Sequence, residues 1–214
     1  VDEALAESTP YADVRSGGKV HRGVKLRDYI SQVRAAGPEG SPTYLWAPLL
    51  QGSQDGDAFR ATGSDVAQHL HPEISKLRWE EIMKLAEIGQ FGDMNSVQLF
   101  VSDHSAVTTS HYDQSQNIFL HLHGQKRFIL LPPLAGGRAL NPFPVRHPKN
   151  RQARVHLNAP DATALTNGRG QAVEAVLNSG DALYIPYGWW HHVESLGPEN
   201  VSMNFWFCCG AAAG

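Results

Sequence analysis

His111-Tyr112-Asp113, answered far downstream by Trp189-Trp190-His191-His192, has the residue types and spacing to hold a metal ion. An H-x-D step at a strand end sets one imidazole and one carboxylate on neighbouring positions, within reach of the same ion. A second histidine from a distant strand completes three ligands on one side and leaves the other side open. Two histidines and a carboxylate with open positions suit non-haem Fe(II) and its oxygen chemistry. Strand alternation allows only one of His191 and His192 to face the interior. Val193 shares a face with His191, and the flanking tryptophans make that face dry, so His191 is the expected ligand. The chain has 11 histidines, so an H-x-D triplet arises readily by chance and the surrounding segments must decide.

Those segments read mainly as strands. Leu26, Tyr29, Ile30 and Val33 fall at helical spacing, and the Gly/Pro-rich stretch from Gly37 to Pro42 stops that helix. Tyr44 to Ala47 predicts a strand and Trp79 to Ala86 a short helix. From Val97 onward, short aromatic or β-branched runs recur between Gly, Pro, Asn and Ser: Val97–Val101, Asn117–His123, Lys126–Leu131, Ala182–Ile185, Trp189–Val193 and Val201–Phe207. Such spacing points to a sandwich or barrel. Asn141 to Gly170, rich in Pro, Asn, Arg and Gly, is a long insertion of the kind that is functional or disordered. The expected organisation is one domain over 1–214, with a helix/strand portion at 1–95 and a β core at 96–207.

Asn117 to Leu131 reads as a hairpin around Gly124-Gln125, with His123 opposite Lys126. Asn117, Phe119 and Lys126 then share a face. Six residues of strand span roughly 20 Å. A lysine side chain plus an extended five-carbon dicarboxylate covers that gap, with an amide at the metal end and an ammonium at the other. One extra loop residue would reverse the arrangement. Lys126 and Asn117 are otherwise a solvated turn lysine and a strand-start residue. His121 and His123 alternate along one strand with no carboxylate at matching spacing, and read as ordinary strand residues.

At 214 residues with a net charge of −3, the composition is that of a chain able to bury a sizeable core. No block of Lys/Arg nominates nucleic acid as a partner. No apolar run approaches the roughly 18 residues of a membrane span, and the first residues show no secretory signal. A chain opening on Val1 rather than Met is expected to be trimmed. Cys208 and Cys209 are adjacent, which disfavours a bridge between them and suggests reduced thiols in an intracellular protein, cytoplasmic or nuclear.

HYDQSQNIFLHLHGQKRFILLPP (His111 to Pro133) and LYIPYGWWHHVES (Leu183 to Ser195) closely resemble the JmjC-type 2-oxoglutarate oxygenases. Within that family the likeness is closest to asparaginyl hydroxylases of the kind called factor inhibiting hypoxia-inducible factor, running with gaps from about Tyr11 to Phe207. The resemblance implies a double-stranded β-helix, a cupin-like jelly roll, with flanking helices in the N-terminal half. It implies His111, Asp113 and His191 as ligands of Fe(II), with 2-oxoglutarate and O2 as co-substrates. It assigns the distal carboxylate of 2-oxoglutarate to Lys126, Thr108 and Tyr44, and the metal-chelating end to Asn117 and Asn204. Trp206 would line the pocket. Within PFPVRHPKNRQARVHLNAPD (Pro142 to Asp161), Arg151-Gln152 falls where the asparaginyl hydroxylases grip the target carboxamide. The implied activity is hydroxylation of a protein side chain, asparagine first, on an extended peptide, with release of succinate and CO2. Hydroxylation or demethylation of another residue, a small-molecule substrate, a cupin that does not use 2-oxoglutarate and a peptide-binding module are the alternatives. The pattern departs at Gln98 and Phe100, where leucines are expected, at Trp46, where a glutamine is usual, and at the end of the chain, which lacks the dimerising helices of that group and puts dimerisation in doubt.

Overall fold

The computed structural model describes residues 26–36, 44–51, 60–61, 65–103, 106–155, 157 and 172–208. The elements among them are α1 (Leu26–Ala36), β1 (Tyr44–Gln51), β2 (Arg60–Ala61), α2 (Asp65–Ile74), α3 (Trp79–Ile88), β3 (Met94–Asp103), β4 (Val107–Tyr112), β5 (Gln116–His123), β6 (Gln125–Leu131), α4 (Pro133–Ala139), β7 (Val173–Asn178), β8 (Ala182–Ile185), β9 (Trp190–Ser195) and β10 (Glu199–Phe207). Two antiparallel sheets face each other. One has the order β2-β1-β3-β10-β5-β8, the other β4-β9-β6-β7. From β3 to β10 the chain repeatedly crosses between them, so strands adjacent in sequence are seldom adjacent in a sheet. This is the jelly roll, with β1 and β2 widening the larger sheet. None of the helices described is long and apolar enough to cross a membrane.

The larger sheet packs its outer face on the helices. Leu49, Val97, Leu99, Val101, Ile118, Met203, Phe205 and Phe207 join Tyr29 of α1, Ala67 and Ile74 of α2 and Ala86 of α3 in one core. Trp79 closes it, edge-on to Phe205 at 5.7 Å and donating its indole N–H to the Ile74 carbonyl at 2.9 Å. The outer face of the smaller sheet is covered by α4 and the insertion, through Ile129, Leu131, Trp190, Leu140, Ala153 and Leu157. Between the sheets lies a smaller apolar cluster of Phe119, Phe128, Leu130, Leu177, Ile185 and Val193.

The predicted hairpin is not formed. β5 pairs with β10 and β8, whereas β6 pairs with β7 and β9 in the opposite sheet. Gly124 is a corner between sheets. Its φ of +88° is open to glycine, and a Cβ there would collide with the Glu199 carbonyl and lie 2.6 Å from Asn200 Oδ1. That same Asn200 oxygen accepts the Gln125 N–H at 3.0 Å and holds the corner in place. Asn117, Phe119 and Lys126 do meet in the interior, but across the gap between two sheets rather than along one hairpin face. The short strand β7, the helices α2 and α4 and the start of β4 were not among the predicted elements. α4 carries Pro133, Gly136 and Gly137, and α2 ends through Pro72, which weakens the helical signal of both. The insertion is described only as far as 157, and Cys209 lies outside the described residues; Cys208 is a free, exposed thiol.

Candidate metal centre

His111 lies near the end of β4 and His191 in β9, directly opposite each other in the ladder. Facing residues of a ladder point to the same side, so both imidazoles enter the space between the sheets, with ring centroids 4.1 Å apart. Asp113 follows β4, anchored by its carbonyl, which accepts the Gly188 N–H at 3.0 Å from the Pro186-Tyr187-Gly188 turn. His111 Nε2 stands 3.9 Å from Asp113 Oδ1, and His191 Nε2 3.8 Å from Asp113 Oδ2. One ligand atom from each of the three lies within 4.8 Å of the others.

The protonation pattern fits a cation. His111 Nδ1 is 2.8 Å from the Thr109 carbonyl, and His191 Nδ1 is 3.0 Å from the Trp189 carbonyl. A carbonyl only accepts, so each Nδ1 carries a proton, which leaves Nε2, the atom facing Asp113, as the one available to a metal. Burial, reinforced by the neighbouring His191, pushes the His111 pKa down to about 4 against the pull of Asp113, so that ring stays neutral. Donor atoms about 2.1 Å from one ion stand about 3–3.5 Å apart, close to the nitrogen–oxygen gaps here. Two imidazoles and a carboxylate suit an intermediate divalent metal such as Fe(II). The other inward/outward prediction also holds: His192 faces out, with Nε2 3.1 Å from Glu194 Oε1. Only Trp189 helps to dry the inner face; Trp190 packs outward against α4.

A second polar group sits deeper between the sheets. Lys126 is 3% exposed and has no acidic partner among the described residues; its Nζ stands 5.8 Å from the ring centroids of both Tyr44 and Phe119. Burial alone lowers its pKa to about 8, leaving it an ammonium at neutral pH. Tyr44 shares a hydrogen bond with Thr108, and burial raises its pKa, so its hydroxyl remains a neutral donor. A buried ammonium beside the Tyr44 ring is a ready receptor for one carboxylate. Asn117 and Asn204 are buried on the inner face of the larger sheet, each with its side-chain oxygen unpartnered. Trp206, opposite Asn117 in the ladder, is half-buried and edge-on to Phe100 at 6.1 Å.

Arg151 and Gln152 reach the site through the backbone. The Arg151 carbonyl accepts the Tyr112 N–H at 3.1 Å, and the Ala153 N–H donates to the Ser110 carbonyl at 2.8 Å. Gln152 thus forms an isolated bridge opposite His111 and is 6% exposed, while Arg151 is half-buried. Trp46 and Gln98, two of the departures from the expected pattern, hydrogen-bond to each other through the indole N–H and the amide oxygen. Two inner residues were missed. His121 is fully buried opposite Ser202, and Ser195, opposite Lys126, is joined to Ser102 of the other sheet by a 2.9 Å hydrogen bond. His121 has the same strand parity as Asn117, a signal that could have placed it inside.

A family model described as a cupin-like domain matches residues 16–209. The chain belongs to the cupin-like domain family. Among curated relatives of this cupin-like chain, "Lysine-specific demethylase JMJ31" of Arabidopsis thaliana is 32% identical over 117 residues, covering 53% of this chain and 21% of that protein. "Lysine-specific demethylase JMJ30" of the same plant is 29% identical over 144 residues, covering 66% and 33%. "HSPB1-associated protein 1" of Homo sapiens is 32% identical over 115 residues, covering 50% and 22%. The aligned segments thus span 21–33% of the length of these relatives.

Proposed function

We propose that this cupin-like chain is an Fe(II)- and 2-oxoglutarate-dependent oxygenase that hydroxylates a protein side chain, most readily asparagine. The observation that carries the reading is the pairing of two features in one interior: three convergent candidate ligands with both imidazole Nε2 atoms beside Asp113, and a buried ammonium with no anionic partner among the described residues. His111, Asp113 and His191 would hold the metal. Lys126, Thr108 and Tyr44 would take the distal carboxylate of 2-oxoglutarate, with Asn117 and Asn204 beside its other end. The metal supplies oxygen activation, coupled to decarboxylation of 2-oxoglutarate to succinate and CO2.

The chain's own contribution is positional. The backbone carbonyls of Thr109 and Trp189 fix the tautomers of the two histidines, and the Gly188 N–H fixes the backbone of Asp113. Trp189, Val193 and Phe128 keep water from the inner walls. Losing the ammonium end of the carboxylate clamp should cost on the order of 1.5–3 kcal/mol of co-substrate binding. Asparagine is favoured because Gln152, buried in register with His111, carries an amide, the group type that complements a carboxamide. The alternative of lysine demethylation rests on the names of the two plant relatives.

Anaerobic titration of the apo-protein with Fe(II) and 2-oxoglutarate should develop a visible metal-to-ligand charge-transfer band. His191→Ala should remove it. Folded wild-type protein without the band would refute the oxygenase reading. Product mass then decides the subtype: oxygen gained on asparagine supports the reading, and a methyl lost from lysine replaces it.

A further inference from the structure

Between Asp113 and Asp161 the chain has no acidic residue, yet it holds Lys126, Arg127, Arg138, Arg146, Lys149, Arg151 and Arg154 in a molecule whose net charge is −3. Several other cations among the described residues are matched. Arg34 pairs with Glu199, Lys76 with Glu73, Arg78 with Glu81, and Arg127 with both Glu174 and Glu194. Arg138, Arg146, Lys149 and Arg154 are all exposed, and none has an acidic partner among the described residues. Arg154 donates instead to the Asn141 side-chain oxygen at 2.6 Å. These unmatched cations belong to α4 and the insertion that runs beside the metal-bearing strand, where Arg151 and Ala153 hydrogen-bond to β4. The same segments expose two large apolar side chains, Val145 at 86% and Leu134 at 68%.

We propose that this basic, partly apolar surface beside the metal centre docks an acidic peptide segment that flanks the target residue. The inference rests on the oxygenase reading for the identity of the site, and it adds the charge class of the substrate. Unmatched cations attract a polyanion and orient it over a screening length of about 8 Å at physiological salt. Val145 and Leu134 give an apolar contact that a peptide can use and a phosphate backbone cannot. The insertion's aromatic ring is already occupied, because His147 stacks on Phe143 at 4.5 Å and the Arg154 guanidinium lies 6.0 Å from its centroid. A base-stacking platform needs a free aromatic face. Acidic peptide is therefore favoured over nucleic acid.

The test is fluorescence anisotropy without added metal, so that it is independent of turnover. The probes are a fluorescein-labelled peptide with one asparagine flanked by glutamate and leucine, the same peptide with lysine for glutamate, and an oligouridylate of matched charge. The acidic peptide should bind, weaken with salt, and weaken by at least about tenfold in R146E/K149E. The milder R146Q/K149Q should fall between. K84E, which reverses an exposed cation of α3, should leave binding unchanged. Thermal melting checks that the charge reversals remain folded. Failure of the acidic peptide to bind, equal binding of acidic and basic peptides, or an equal loss in K84E would overturn the proposal. Tighter binding of oligouridylate would replace the peptide with a nucleic acid. The charge-transfer titration on R146E/K149E separates the two readings: a band with no peptide binding leaves the oxygenase and removes the docking surface.

Discussion

The two faces of β10 are built for opposite purposes. Outward, Met203, Phe205 and Phe207 sink into the helical core; inward, Ser202, Asn204 and Trp206 face the smaller sheet. Both faces are largely buried, with Phe205 at 0% and Ser202 at 0% exposure, so alternation along this strand does not separate core from solvent. It separates the core from the site. Stability comes from the outer face, where apolar area leaves water at about 25 cal/mol per Å². The inner face carries unpartnered Ser202, Asn204, Asn117 and His121 atoms, and each such buried group costs about 1–3 kcal/mol when unmet. The fold accepts that cost on one side because the other side supports it.

The largest test of this division is to remove the carboxylate proposed to hold the metal. Asp113→Ala should abolish turnover and the charge-transfer band while leaving the melting temperature nearly unchanged, because Asp113 packs no core. Undiminished succinate formation would overturn the site. On the outer face, Phe205→Ala should destabilise the protein by about 3–5 kcal/mol in denaturant unfolding. Asn204→Ala, its inward neighbour, should change stability by less than about 1 kcal/mol or raise it, since it removes an unmet polar group. Equal losses in the two variants would show that the inner face is ordinary core.

This division also governed what the sequence could reveal. His111, Asp113 and His191 were legible because ligand chemistry is a matter of side-chain type and strand-end spacing, and Val193 fixed the parity of β9. Most strands were legible from short aromatic and β-branched runs. The link from β5 to β6 was not, because Gly124-Gln125 reads the same whether the chain folds back on itself or crosses to another sheet. Asn200, distant in sequence, decides it by capturing the Gln125 N–H. Asn117 and Lys126 nonetheless meet in one interior, since both constructions send them there. His121 was read as an ordinary strand residue because no partner lay at its own spacing; Ser202 arrives from β10. β4 begins with Val107-Thr108-Thr109-Ser110, a polar run whose strand character is imposed by pairing with β9.

Lys126 sharpens the comparison because stability and function pull on it in opposite directions. Its pKa is lowered from 10.5 to about 8 by burial, so the folded state disfavours the ammonium. The sign follows from linkage: the penalty is absent above the unfolded pKa of 10.5, grows as pH falls to about 8, and is complete below that. At about 1.36 kcal/mol per pKa unit it amounts to on the order of 3 kcal/mol at neutral pH. Lys126→Met should therefore raise stability at pH 7 by up to that amount, with the gain fading toward alkaline pH, while the requirement for 2-oxoglutarate rises sharply. A Met variant that is both less stable and unaltered in its requirement would remove Lys126 from the pocket.

The same residue sets a graded effect of pH on co-substrate binding. Tyr44 is pushed up and stays neutral, His121 is pushed down by burial and by Lys126 and stays neutral, and Thr108 does not titrate, so Lys126 alone changes charge in the alkaline window. Above about pH 8 its ammonium fraction falls about tenfold per pH unit, and the affinity for a dicarboxylate should fall in parallel, by about 1.4 kcal/mol per unit. Calorimetric titration of the Mn(II)-loaded protein with 2-oxoglutarate measures it, and Lys126→Arg, whose guanidinium stays charged, should give a flat profile at whatever affinity its geometry allows. A wild-type profile that is also flat would mean that the distal carboxylate finds its cation elsewhere, and Arg127, held by two glutamates on the opposite face of the same strand, cannot be that cation.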